Sequence, residues 1–126
     1  MYLNKTEQIG RYIIEFGMGI DLHGQDLNKA AEKAIKDAIS HSCLCGLEEV
    51  LHIQDTDEHV HIKVTLACSR PDEIYPEQLQ NILPVGCAEV TAVAGGMTLS
   101  GLYVPKFGDK DESIEAVLAA VEVYIL

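Results

Sequence analysis

Two stretches of this chain alternate apolar and polar positions and a third repeats at helical spacing, and these three set the expected architecture. From Arg11 the positions Tyr12, Ile14, Phe16, Met18 and Ile20 share one side of an extended chain, while Ile13, Glu15, Gly17, Gly19, Asp21 and His23 share the other. A strand is therefore expected from roughly Arg11 to Ile20. Two glycines at alternate strand positions sacrifice packing, which implies that a ligand or another backbone comes close to that face. After a glycine turn, Leu27, Ala30, Ala31, Ala34, Ile35, Ala38 and Ile39 form one buried stripe of a helix. Asp26 is placed to cap its N-terminus. The helix is expected to fray between His41 and Gly46, where Gly46 can turn left-handed.

The third pattern begins at Glu58, with Val60, Ile62, Val64 and Leu66 pointing one way and His59, His61, Lys63 and Thr65 the other. Glu48 to Gln54 reads as a short strand, joined to this one as a hairpin through Asp55-Thr56-Asp57. Pro76 to Leu83 reads as a short helix with Pro near its first position and Pro84 stopping it. Cys87 to Ala94 reads as a strand ended by Gly95-Gly96. Met97 to Glu112 is a long loop, expected to be functional or ordered by a partner subunit. Ser113 to Leu126 fits a helix in part, but Val121-Glu122-Val123-Tyr124-Ile125 favours a strand.

The predicted fold is α+β, a two-layer βαββαβ sandwich with an extra C-terminal strand, its sheet mostly antiparallel and its helices on one face. Residues 1–126 form one domain, with 1–9 as a loose lead-in. The face carrying Glu15, Gly17 and Gly19 is expected to lack a covering layer, so a homo-oligomer is expected.

Composition narrows the partners. Nine basic against twenty acidic residues give a formal charge of -11, which repels nucleic acid and anionic membranes. Lys29, Lys33 and Lys36 are interleaved with Glu32 and Asp37, as on a solvated helix face. Although 48% of residues are hydrophobic, no run approaches the length of a membrane span. The N-terminus has neither a basic start nor an apolar core of a signal peptide, so a cytoplasmic location and reduced thiols are expected.

Candidate chemistry concentrates between Glu15 and Asp26. Glu15, Asp21 and His23 are the candidate catalytic residues, because a carboxylate beside an imidazole can fix its tautomer for proton transfer. Gly17, Gly19, Gly24, Gln25 and Asp26 are the candidate ligand-binding residues, the helix N-terminus suiting a small polar or anionic ligand. The alternative is that Asp21 and His23 only brace the turn. The motif is not a dinucleotide fingerprint, since Leu22 stands where a third glycine is needed, and not a phosphate loop, since it has no Gly-Lys-Ser/Thr. His41, Cys43 and Cys45, with Cys68 or Cys87, offer a weaker zinc reading, and His59 with His61 another. No cofactor is specified. The competing function is a non-catalytic ligand-binding or assembly module.

Gly17-Met18-Gly19-Ile20-Asp21-Leu22-His23-Gly24 forms a GxGxDxHG motif. It resembles the signature of a small family of conserved hypothetical proteins found mainly in bacteria and plants. Gln25-Asp26, Pro71-Asp72-Glu73, Leu83-Pro84-Val85-Gly86, Gly95-Gly96 and Ala119 to Val123 resemble its later blocks. The family has no assigned activity, so the resemblance implies a candidate site rather than a reaction. The element order is also similar to domains of ring-opening amidohydrolases, but their serine and lysine pattern has no clear counterpart here.

Overall fold

The computed structural model describes residues 10–83 and 87–126. The expected lead-in at 1–9 and the stop at Pro84 lie outside the described residues. The long alternating segments form β1 (Gly10–Asp21), β2 (Val60–Cys68) and β5 (Ser113–Ile125), with β3 (Cys87–Ala94) and the short β4 (Met97–Ser100) completing a five-stranded sheet. Its order is β1-β5-β2-β3, and β4 continues beside the start of β5. β5 runs antiparallel to β1, β2 and β4, whereas β2 and β3 are parallel. The predicted α+β layering with a mostly antiparallel sheet holds, and the C-terminal segment is a strand as expected.

The strongest periodic signal forms α1 (Leu27–Ile39), which buries Leu27, Ala30, Ala31, Ala34, Ile35 and Ala38. Asp26 caps it by accepting the backbone N–H groups of Asn28 and Lys29 at 3.0 and 3.2 Å. Asn28 then clamps the segment before the next helix, donating to the Glu73 carbonyl and accepting from the Tyr75 N–H, both at 2.8 Å. Residues 76–83 give α4 over Pro76–Gln80, numbered after two earlier short helices, α2 (Gly46–Glu49) and α3 (Thr56–His59).

Those two short helices replace an expected strand. Gly46–Glu49 turns helically with Glu48 and Glu49 in its first turn, while Val50 and Leu51 are exposed rather than paired in a sheet. Asp55 caps Thr56–His59 by accepting from the N–H groups of Asp57 and Glu58. The expected hairpin is therefore absent, and β2 begins at Val60. His59 ends a helix and is exposed, whereas His61 is buried on β2, so the two do not form a strand-borne pair. Gly46 starts a helix instead of ending one.

The faces of β1 are also reversed from expectation. Gly17 and Gly19 lie under α1, where added Cβ atoms would come within 2.3 Å of the Ala34 carbonyl and Ala38 nitrogen, or 1.9 Å of the Ala30 carbonyl. The absent side chains let two backbones approach, and the alanine stripe of α1 supplies the matching small surface. The core between α1 and the sheet is completed by Val60, Ile62, Val64 and Leu66 of β2 and by Val117, Ala119, Val121 and Val123 of β5. The uncovered face instead carries Ile14, Phe16 and Met18, the phenylalanine being 71% exposed. In register beside them stand Ala120 and Leu118, followed by Ile20 opposite Ala116. Met97 and Leu99 of β4 lie opposite Ala116 and Ile114 and extend this apolar surface. A register shift between Arg11 and Ile13 takes Tyr12 out of the alternation and sets its hydroxyl against Gly46.

Among the described residues β1 has no strand neighbour at its outer border, and α1 covers part of that border. The Met18 N–H donates to the Asp37 carboxylate at 2.9 Å, and the Lys33 ammonium donates to the Ile20 carbonyl at 3.1 Å. Side chains of the helix thus occupy backbone groups that an edge strand would otherwise offer to another chain.

Candidate functional site

β1 ends at Asp21, where the chain must turn sharply to bring α1 back over Gly17 and Gly19. Gly24 makes that turn at φ 92° and Gln25 at φ 51°. Asp21 is buried and accepts the Asp26 N–H at 2.8 Å, tying the strand end to the cap of the helix. The first amides of α1 therefore face the Asp21 and Asp26 carboxylates. Asp21 acts here as the brace that the turn requires, and His23 finds its acid elsewhere.

That acid is Asp109. His23 Nδ1 lies 2.8 Å from Asp109 Oδ2, which also accepts the Val104 N–H at 2.7 Å. The other carboxylate oxygen accepts the Gly24 N–H at 2.8 Å and the Gln25 side-chain amide at 3.3 Å. Burial pushes the Asp109 carboxyl up, but the bonds from His23, Val104, Gly24 and Gln25 outweigh it and hold the group at about 2. Asp109 is thus an ionised acceptor at neutral pH. The neutral His23 ring that best satisfies it carries its proton on Nδ1, which leaves Nε2 as a proton acceptor. The ring is one-third exposed, and Phe107 meets it edge-on at 5.0 Å between centroids.

Gln25 fastens the same loop to the turn. Its side-chain nitrogen donates to the Ser113 carbonyl at 2.8 Å, and its oxygen accepts the Lys110 N–H at 2.9 Å. The segment expected as one long loop thus contains β4, a helical turn over Pro105–Phe107, and Asp109 buried against the turn after β1.

A second carboxylate, also unforeseen from the sequence, stands beside Asp21. Glu115 is its register partner on β5, only 1% exposed. It accepts from the hydroxyls of Thr98 and Ser69, with closest distances of 2.7 and 3.0 Å, and from Arg70 at 3.3 Å. These bonds join β4 and the end of β2 to β5.

Glu15 does not join this cluster. It lies farther back on the helix-covered side of β1, accepts a hydrogen bond from Ser42, and lines a cavity of about 520 Å3 under the C-terminal end of α1. The space beside Gly17 and Gly19 is filled by α1, so these two act in packing rather than at a ligand. Among the described residues, no group of three or more His, Cys, Asp or Glu side chains converges to hold a metal ion. Cys43 and Cys45 are exposed free thiols, while Cys68 is buried.

Asp109 could not be paired with His23 by local spacing, being 86 residues away. The signal in the sequence is weaker: one long loop, Met97 to Glu112, carrying Gly101, Pro105 and Gly108 and expected to be functional or ordered by a partner subunit. Among curated proteins none matches this chain. Its structure is similar to that of an FtsZ-like protein of unknown function from Nostoc punctiforme PCC 73102, with 36% sequence identity and a TM-score of 0.83. The alignment covers 94% of this chain and 98% of that one. The model of the conserved hypothetical protein family Lin0512_fam matches residues 11–123, and the chain belongs to that family.

Proposed function

We propose that the turn from Asp21 to Asp26 carries a small-molecule site at which His23 takes up and delivers protons, with Asp109 as its positioning residue. The observation that carries this reading is the 2.8 Å contact from His23 Nδ1 to a carboxylate whose two oxygens also accept three other protein donors. Such a carboxylate fixes the ring orientation and favours its protonated form during transfer, while Nε2 does the chemistry. Asp21, Gly24, Gln25 and Asp26 shape the turn that presents the ring. The substrate class is a small polar molecule with a carbonyl or acyl group, and hydrolysis is the simplest reaction of that kind.

The test is hydrolysis of p-nitrophenyl acetate across pH 5–9, compared with free imidazole at equal concentration. Turnover above imidazole that disappears in His23→Ala, and whose pH profile moves in Asp109→Asn, supports the proposal. A rate no greater than imidazole, or one unchanged in His23→Ala, refutes it.

The second reading is a self-assembling module, favoured by the exposed apolar face around Ile14, Phe16, Met18 and Leu118. Together with Met97 and Leu99 these side chains expose on the order of 600 Å2 if each presents roughly 100 Å2, close to one partner's share of a stable interface. A second copy placing the same face against it is the simplest cover. Light scattering should then give a multiple of 13.8 kDa that falls to the monomer mass in Phe16→Glu. A wild-type monomer at micromolar concentration removes this reading and leaves the His23 proposal standing.

A further inference from the structure

The cavity that Glu15 lines is separate from the His23 turn and has a chemistry of its own. Its floor is the sheet, at Ile62, Val121 and Val123, and its wall is built by Ile39, Leu44 and Leu47. The volume of about 520 Å3 falls in the range of sites that enclose small molecules. The sequence makes this space in a specific way. The alanines of α1 and the glycines of β1 bring helix and strand together at one end, and past Gly17 the strand carries Glu15 instead of a third glycine. The chain after α1 then arches over the gap, from Ser42 through the short helix α2 to Thr56, without a strand to close it.

The polar groups around the space share one sign. Glu15 and Glu48 are carboxylates, Ser42, Gln54 and Thr56 are neutral, and no lysine, arginine or histidine is among the described lining residues. Among the described residues Glu15 accepts one hydrogen bond, from Ser42, which leaves further acceptor sites on its two oxygens. A carboxylate beside an apolar wall is poorly screened, so it discriminates strongly by charge. The net charge of -11 adds to the preference at long range.

We infer that this cavity binds a small amphipathic cation, an apolar or aromatic body with an ammonium group held by Glu15. The body lies on Ile62, Val121 and Val123, and the ammonium replaces water at the carboxylate. Anions of similar shape are rejected because two carboxylates and, among the described lining residues, no cation meet them.

Three probes with the same naphthyl body and similar size test this: 1-naphthylmethylamine, 1-naphthylmethanol and 1-naphthoate, titrated into the full chain by calorimetry. Cys43 and Cys45 provide an independent readout, because both line the cavity as exposed free thiols and their alkylation by iodoacetamide should slow on occupancy. The amine should bind at least tenfold more tightly than the alcohol, and the naphthoate most weakly. Glu15→Gln should bring the amine down to the alcohol's affinity while the alcohol is unaffected. Leu44→Trp, which fills the space from its wall, should abolish binding of all three, and His23→Ala should change none. Equal binding of the three probes, no binding of the amine at millimolar concentration, or amine binding retained in Leu44→Trp would overturn the inference. A folded Glu15→Gln protein, checked by its circular dichroism, that still prefers the amine would do so as well.

Discussion

Replacing Gly19 by alanine adds one methyl group at the tightest contact between α1 and the sheet. Its Cβ would sit 1.9 Å from the Ala30 carbonyl oxygen and 2.5 Å from the Ala34 nitrogen, whereas ordinary contact begins at 3.4 Å. Both neighbours are helix backbone, so no side-chain rotation relieves the clash. The helix must withdraw by roughly 1.5 Å, and a gap of even 1 Å forfeits about half the dispersion energy of the atoms it separates. Overpacking of this kind costs about 3 kcal/mol or more, a large share of the roughly 5–15 kcal/mol that holds a domain together. In a chain of this size that corresponds to a fall in melting temperature of roughly 10 °C. Urea titration of Gly19→Ala beside Gly10→Ala provides the measurement, because a Cβ at Gly10 meets nothing within 4 Å and should change stability by under about 0.5 kcal/mol. Equal midpoints for the two variants would refute the close-approach account. They would return the glycines to the alternative role of leaving room for a ligand.

Three further outcomes follow from named contacts. Asp109 ionises at about 2 in the folded chain against an ordinary 3.8, so its contribution to stability is complete above the ordinary value and is lost as pH falls through about 2. Acid denaturation of Asp109→Asn should lack that part of the pH dependence, and an unchanged acid limb would contradict it. Glu115→Gln keeps the shape but weakens the bonds from Thr98, Ser69 and Arg70, which should cost roughly 1–3 kcal/mol and speed amide exchange in β4 relative to β2. Asp37→Ala uncovers the Met18 N–H at the border of β1, and should raise the rate of thioflavin-positive aggregation without lowering the monomer's helix content.

The legible parts of the fold are those whose periodicity has one solution. The stripe from Leu27 to Ile39, the cap at Asp26 and the alternation from Val60 to Leu66 are all as expected. Alternation along β1 distinguishes two faces but does not say which is covered, and the glycine face, expected to be open, is the one that lies under α1. Phe16 and Met18 are the larger apolar groups, yet a helix striped with alanine gains more by lying on glycine, where its backbone can come close. The segment from Glu48 to Gln54 has the apolar content of a strand, but its start is taken up by local helical bonds, the Glu49 and Val50 N–H groups donating to the Cys45 and Gly46 carbonyls at 2.9 and 3.1 Å. Of the candidate site, His23 and the turn that presents it were legible, whereas Asp109 and Glu115 were not. Their roles arise from tertiary pairing with residues far away in the chain, for which no local spacing exists.

The place of β5 has a consequence for how the molecule is made. This strand follows the other described strands in sequence and yet lies between β1 and β2, paired with β1 from Gly10 opposite Ile125 to Asp21 opposite Glu115. During synthesis β1 and β2 therefore emerge without the element that joins them, and α1 has only part of its seat until Ser113–Ile125 has left the ribosome. The sheet closes by pairing β1 with β5 across all the intervening elements, at a large loop-closure cost, which places its folding among slow, non-local topologies. Nascent chains stalled before Ser113 expose the apolar sides of β1 without its partner β5, so chaperone dependence is greatest before Ser113–Ile125 has been made.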